Sequence, residues 1–320
     1  MTPAQTSQTE EPQAAVSQHY ANINGISLHY AEAGSGDNLV ILLHGFPEFW
    51  YSWRHQLTAL EKQYHVVAPD MRGYNLSDKP PRVGDYRIEV LVEDVVDLIK
   101  FFGAHKATIV GHDWGAAVAW VLAQKYPERV SKLAVLQVPP PAVWRANLSL
   151  SQLLRSWYMF FFQLPFVPEL LISLNNFTAL AWAFQQTAVR KSAFTSADIE
   201  LYKEALSWPG ALSGAVNYYR ANVGRMMLRR KAKPAGKPNA RRRETKAHQD
   251  EPEADLRIRV PTLFIYGEKD FAIIPKTVSG IGDYMAAPYH ELRIADSGHW
   301  VQNEAPTEVN AALLEFLNTP

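Results

Sequence analysis

Residues 110–116 read VGHDWGA, and their pattern decides the fold. Gly111, Asp113 and Gly115 form Gly-x-Asp-x-Gly. A short apolar run, ATIV at 107–110, leads in, and an Ala/Val/Leu-rich run follows over 116–122. That order is strand, sharp turn, helix: an elbow in which a strained turn lifts one side chain above a sheet edge. Glycines on either side let neighbouring backbone pass close to the strained residue. The lifted residue is an aspartate, Asp113, where esterases and lipases carry serine. A carboxylate is ionised at neutral pH and needs no base before it attacks carbon. Displacement at an alkyl carbon suits it better than acyl transfer.

The flanking sequence supplies the sheet around this elbow. Residues 20–31 alternate around Asn24-Gly25, a type I′ hairpin signal. NLVILL at 38–43 reads as a buried strand, and YHVVA at 64–68 as the next, with a helix over 50–62 between them. Residues 90–102 have helical periodicity, and another strand is expected near 130–138. Strands alternating with helices imply a mostly parallel sheet covered on both faces. Pro139-Pro140-Pro141 ends the alternation. From 143 to about 227 the pattern is helical only and rich in aromatics, with Thr195 and Asp198 resembling a capping box. Strand signals return at TLFIY, 262–266, and at 290–294, before a final helix over 307–317. The expected organisation is therefore a tail at 1–18, a core at 19–141 and 256–320, a helical cap at 142–228, and a charged flexible loop at 229–255.

Composition bounds the function. The 320 residues carry 32 basic and 32 acidic side chains, so nothing pulls the whole molecule toward nucleic acid or an anionic surface. Nine Lys/Arg fall within 229–246 and are followed by Asp250, Glu251, Glu253 and Asp255. Such a run reads as a solvated loop, and it lacks the interleaved aromatics of a nucleic-acid site. Without cysteine there is no disulfide, thiolate nucleophile or cysteine metal site. The polar, acidic first 18 residues lack the apolar core of a signal peptide, so a cytoplasmic protein is expected. The apolar stretch 157–174 is interrupted by Gln163, Pro165, Pro168 and Glu169 and reads as two short helices rather than a membrane span.

Three residues follow in the order Asp113, Asp270, His299. Asp270 lies past one expected strand in YGEKD, and His299 past another in DSGHW. Nucleophile, acid, histidine along the chain, each in a loop after a strand, is the order of a catalytic triad on an open parallel sheet. HGFP at 44–47 follows the first buried strand, where a turn can aim the Phe46 N–H at the site beside that of Trp114, making an oxyanion hole. His44 reads as a structural histidine rather than a base.

HGFPEFWYSWRHQL, APDMRGYNLSDKP, VGHDWGA, YGEKD and DSGHW together resemble the epoxide hydrolase branch of the α/β-hydrolase superfamily, with haloalkane and haloacetate dehalogenases as near relatives. The resemblance spans about residues 20–317, apart from the charged segment. It implies an α/β-hydrolase fold, a mostly parallel central sheet flanked by helices, with an inserted helical cap. It further implies an aspartate nucleophile and two cap tyrosines that donate to the epoxide oxygen. YMFFFQLP points to Tyr158 as the first, and NYYRAN to Tyr219 as the second, with Tyr218 its neighbour. Trp114, Phe46 and Trp300 are expected in the substrate pocket. The implied reaction is hydrolysis of a lipophilic epoxide to a vicinal diol through an ester on Asp113, with water as co-substrate and no metal or cofactor. The aromatics Trp157, Phe160, Phe161, Phe162, Phe166, Trp182 and Phe184 are shared between pocket and cap core. Detoxification, lipid signalling and growth on epoxides all fit, and monomer or homodimer is left open.

Two departures from the family pattern stand out. Asn75 replaces a usual glycine, and Asn tolerates the left-handed backbone expected there. The basic–acidic segment is longer than usual. A dehalogenase would use the same triad, but Phe46 stands where a halide-binding Asn is common and Trp114 where haloacetate enzymes carry Arg. A non-catalytic receptor on this fold is disfavoured by a complete triad.

Overall fold

The computed structural model describes residues 16–228 and 257–319. Eight strands form one sheet: β1 (Ser17–Ile23), β2 (Ile26–Ala33), β3 (Leu39–Leu43), β4 (His65–Pro69), β5 (Ala107–His112), β6 (Val130–Leu136), β7 (Thr262–Gly267) and β8 (Tyr289–Ile294). Their order is β1-β2-β4-β3-β5-β6-β7-β8. β1–β2 and β2–β4 pair antiparallel, and every pair from β4 to β8 is parallel. β3, β5 and β7 are buried along their whole length. Continuous apolar runs such as LVILL and TLFIYG fit strands covered on both faces. Helices Ile88–Phe101 and Trp114–Lys125 pack on one face, and Arg54–Leu60 and Pro306–Asn318 on the other, each with its own apolar core.

The hairpin turns as its sequence requires. Asn24 and Gly25 both have positive φ, 41° and 75°, the signature of a type I′ turn. Its first strand begins at Ser17, so the expected tail at 1–18 is too long by two residues: the β1–β2 ladder reaches Ser17 opposite Glu32. Residues 1–15 of that tail, and all of the charged 229–255 segment, lie outside the described residues.

Between β6 and β7 the described chain is helical: Pro141–Ala146, Leu150–Arg155, Trp157–Phe161, Val167–Thr187, Ser196–Ser207 and Ala211–Leu228. This is the cap. Thr195 opens the fifth helix with a complete capping box, its Oγ1 accepting from Asp198 N while Asp198 accepts from Thr195 N. The fourth helix is two helices, because Asn175, Asn176 and Phe177 are left-handed at φ 49°, 53° and 58°. The cap sits over the ends of the central strands, where the Tyr218 hydroxyl donates to the Arg72 carbonyl at 2.8 Å. Among the described residues no helix is long and apolar enough to cross a membrane.

The strand order places a switch at the sheet centre. From β3 the chain steps one way to β4, then back across to β5. The loops leaving β3 and β5 therefore diverge and open a crevice at their carboxyl ends, the usual ligand position in an open α/β sheet. HGFP leaves β3, and Asp113 leaves β5. Helix Trp114–Lys125 must cross tightly behind them. A Cβ on Gly115 would collide with the Leu43 carbonyl, which is main chain and cannot swing away. Gly115→Ala is therefore expected to cost about 1–3 kcal/mol of stability through overpacking, read as a lowered urea midpoint with unchanged m.

Candidate active site

Asp113 follows β5 directly, with φ 49° and ψ −115°, a backbone conformation that L-residues rarely adopt. Holding it costs of the order of 1–3 kcal/mol, which the surrounding packing must supply. The result is a carboxylate raised off the sheet at the N-terminus of helix Trp114–Lys125. Opposite it, Gly45 leaves no room for a side chain: a Cβ there would lie 2.6 Å from Asp113 Oδ1. That close approach lets the Phe46 N–H donate to Asp113 Oδ1 at 2.9 Å.

The other carboxylate oxygen, Oδ2, faces His299 Nε2 at 3.7 Å, within ion-pair range but too long for a hydrogen bond. On the far side of the ring, His299 Nδ1 meets Asp270 Oδ2 at 2.8 Å. Asp270 sits in the loop after β7, where its Oδ1 accepts from the Ala272 and Ile273 amides at 2.6 and 2.9 Å. One oxygen fixes the loop and the other fixes the histidine. Both His299 and Asp270 are buried. Burial alone would lower the His299 pKa, but the carboxylates of Asp270, Asp113 and Glu48 outweigh it and raise the pKa to about 9.

An aromatic shell closes over the carboxylate. Tyr219 stands edge-on to Trp114 at 5.1 Å and to Phe46 at 5.3 Å, and its ring lies 4.8 Å from Phe162. Tyr158 lies 5.9 Å from Tyr219. Burial, then the charge of Asp113, pushes both phenols up, with Asp270 adding to the effect on Tyr158. Both hydroxyls are therefore held protonated. Tyr218, next in sequence, points to the Arg72 carbonyl instead. Trp300 lies 5.0 Å from His299 and packs against Phe184 and Phe194 of the cap, with its indole N–H on Thr187 Oγ1 at 2.9 Å.

The cap aromatics divide differently from the sequence expectation of a largely inward-facing set. Trp157, Phe160, Phe166 and Trp182 are exposed, Phe166 to 82%. Phe162 reaches the site, while Phe184 belongs to the cap–core packing. The short cap helices turn only one side inward, and heptad-like apolar spacing does not say which.

The chain is similar to known proteins in sequence and in fold. A family model for the α/β hydrolase fold matches residues 38–306. The chain is 37% identical over 302 residues to epoxide hydrolase 4 of Mus musculus, covering 92% of this chain and 77% of that one. The chain belongs to the α/β-hydrolase fold family, in its epoxide hydrolase branch. It is also 39% identical over 302 residues to an AB hydrolase superfamily protein of Bacillus subtilis, covering 93% of this chain and 96% of that one. Among solved structures, an epoxide hydrolase of Bacillus megaterium in complex with an inhibitor superposes with a TM-score of 0.79 at 32% identity, covering 94% of this chain and 100% of that one.

Within this hydrolase site several groups escaped sequence reasoning. His112, immediately before the elbow aspartate, is buried; its Nε2 lies 2.8 Å from the His299 carbonyl and its Nδ1 2.8 Å from Glu48 Oε2. A carbonyl only accepts, so His112 Nε2 is the donor. Burial would raise the Glu48 carboxyl, but His112 overrides it and holds it below the usual glutamate range. Gln302 Nε2 donates to Glu48 Oε1 at 2.9 Å. The Gln137 amide bridges the Gly298 carbonyl at 2.5 Å and the Gly267 N–H at 2.7 Å, tying the loops after β6 and β8 to the end of β7. Glu48 stands two residues beyond Phe46, and an acid so close to the HGFP turn was the one available signal. His44, as expected, is structural: Nδ1 faces the Gly45 carbonyl at 2.9 Å, Nε2 accepts from Met71 N at 2.9 Å, and burial lowers its pKa.

The Asp113 charge is one of the causes of the raised His299 pKa. Asp113→Asn is expected to move that titration down from about 9, measured by NMR of the imidazole. The sign for stability follows from the same shift. The folded pKa exceeds the unfolded value of about 6.5, so this group's contribution is complete below pH ~6.5 and is lost as pH rises through about 9. The Asn variant should show a shallower loss in chemical denaturation across that window.

Proposed function

We propose that the protein hydrolyses lipophilic epoxides to vicinal diols through a covalent ester on Asp113. The observation that carries this reading is the pairing of an elbow carboxylate with two protonated tyrosines in one partly buried aromatic shell. An acyl-transfer enzyme has no use for two acids opposite its nucleophile. An epoxide needs both, because ring opening generates an alkoxide.

In the first step Asp113 Oδ2 bonds to an epoxide carbon and the C–O bond of the ring breaks. The epoxide oxygen takes a proton from Tyr158 or Tyr219. Asp113 Oδ1, already on the Phe46 amide, becomes the ester carbonyl oxygen. Esterification removes the negative charge facing His299, so its pKa falls below the about 9 of the free site. The histidine then accepts a proton from a water that attacks the ester carbon. Phe46 N–H holds the oxyanion, joined by the Trp114 N–H, which heads its helix and has no acceptor within it. Collapse breaks the bond from the carboxyl carbon to Oδ2; the diol leaves carrying Oδ2 and the second proton of the water, His299 gives up its proton to restore the tyrosine, and Asp113 keeps the water oxygen. Asp270 keeps the ring oriented and stabilises its cation. The surrounding Phe46, Phe162 and Trp114 rings favour an apolar, aryl-bearing substrate.

Incubation of the purified protein with an aryl epoxide should give diol by chromatography, and Asp113→Ala should give none; diol from that variant would defeat the scheme. In a single turnover in 18O-labelled water, label should enter Asp113 and not the diol. His299→Gln should accumulate the ester, seen as a mass increase of one substrate. Tyr158→Phe and Tyr219→Phe should each slow ring opening by ~10²-fold, the low end for loss of a general acid. The kcat profile should fall on the acid side, as His299 gains its proton, with a midpoint below about 9.

A further inference from the structure

Glu304 is a buried carboxylate five residues beyond His299, at the end of the short helix Val301–Glu304. It has no place in the reaction above. Its two oxygens accept from four backbone amides. Oε2 takes Val189 N at 2.8 Å, Arg190 N at 3.1 Å and Gly298 N at 3.0 Å. Oε1 takes Trp300 N at 3.2 Å. Two of these amides, Gly298 and Trp300, flank His299. The other two belong to the cap segment that follows helix Val167–Thr187.

We propose that Glu304 is a positioning residue for His299, which sets the histidine's backbone register and locks it to the docked cap. This rests on the two-step reading, because only the second step needs the imidazole aligned on a water.

The surroundings single out Glu304 as the element joining the two parts. Around His299 the main chain is held from several sides: Gln137 on the Gly298 carbonyl and His112 on the His299 carbonyl. Those two side chains come from the core. Glu304 also reaches the cap, and the contact is reinforced on both flanks. Arg190 donates to the Glu304 carbonyl at 3.2 Å and pairs with Asp296 at 2.9 Å and Glu308 at 2.6 Å. Trp300 donates to Thr187 at 2.9 Å. A carboxylate suits this position because it presents acceptors only, on two oxygens. An amide of the same shape would point an NH2 group at one of the two sets of N–H donors. The less costly orientation keeps the three bonds of Oε2 and gives up the Trp300 amide, on the His299 side. Glu304→Gln is therefore expected to leave the cap docked and to loosen the histidine.

The test separates positioning from mere loss of folded protein. Ring opening and ester hydrolysis are timed by stopped-flow tryptophan fluorescence with an aryl epoxide, alongside steady-state kinetics. In Glu304→Gln, ring opening should stay within about threefold of wild type while hydrolysis slows tenfold or more. The ester then accumulates, so kcat and KM fall together and kcat/KM is preserved. Purely structural damage lowers the active fraction instead, cutting kcat with KM unchanged, and that result would overturn the proposal, as would wild-type kinetics. Should the variant not fold, amide exchange on the wild-type protein decides. Val189, Arg190, Gly298 and Trp300 should open with one common free energy, and independent opening of the cap and loop pairs would overturn the coupling. If His299→Gln forms no ester either, the two-step reading itself has failed. If His299→Gln traps ester and Glu304→Gln does not, only the role of Glu304 is lost.

Discussion

Everything at the centre of this molecule depends on the left-handed backbone of Asp113. An L-residue at φ 49° is unfavourable in isolation. It persists because β5 feeds the turn from a fully buried strand and helix Trp114–Lys125 leaves it directly. Glycines at 45, 111 and 115 let the β3 loop, the strand and the helix close on it without clash. The conformation puts one carboxylate oxygen on a backbone amide and the other toward an imidazole. A relaxed turn would give up both contacts, and with them the share that Asp113 contributes to the raised pKa of His299.

The site is electrostatically layered. The acceptor-rich side holds Asp113, Asp270 and Glu48, which together overcome the burial of His299. The donor-rich side holds the Phe46 amide and the two phenols, kept protonated by burial first and then by the charge of Asp113. Acids and bases thus sit across one small volume. Behind them, Gln137, His112 and Glu304 fasten the histidine loop, so the ring depends on side chains from three separate parts of the chain.

Much of this was legible in the sequence. VGHDWGA specified strand, turn and helix because only small residues tolerate that crossing, and the structure has all three at the expected places. Asn24-Gly25 and the Thr195–Asp198 pair were readable because turns and caps are local chemistry, decided within a few residues. Asn75 has the expected positive φ, 42°, and its side chain also donates to Asp70 at 2.8 Å, a role no local pattern announces. The outward direction of Trp157, Phe160, Phe166 and Trp182 was not readable, because apolar spacing marks a face without saying what covers it.

The sequence by itself therefore determined the alternating α/β layout, the helical insertion after β6, and the identity and order of Asp113, Asp270 and His299. Each of these is carried by short-range periodicity or by a residue type in a strand-following loop. Only the tertiary structure decided which oxygen of Asp113 meets Phe46, that the Tyr218 hydroxyl is taken up by the Arg72 carbonyl, and that Glu304 spans the cap and the histidine loop. Those facts depend on distances between residues far apart in the chain. Glu304 and Val189 are separated by 115 positions, and packing alone brings them to 2.8 Å.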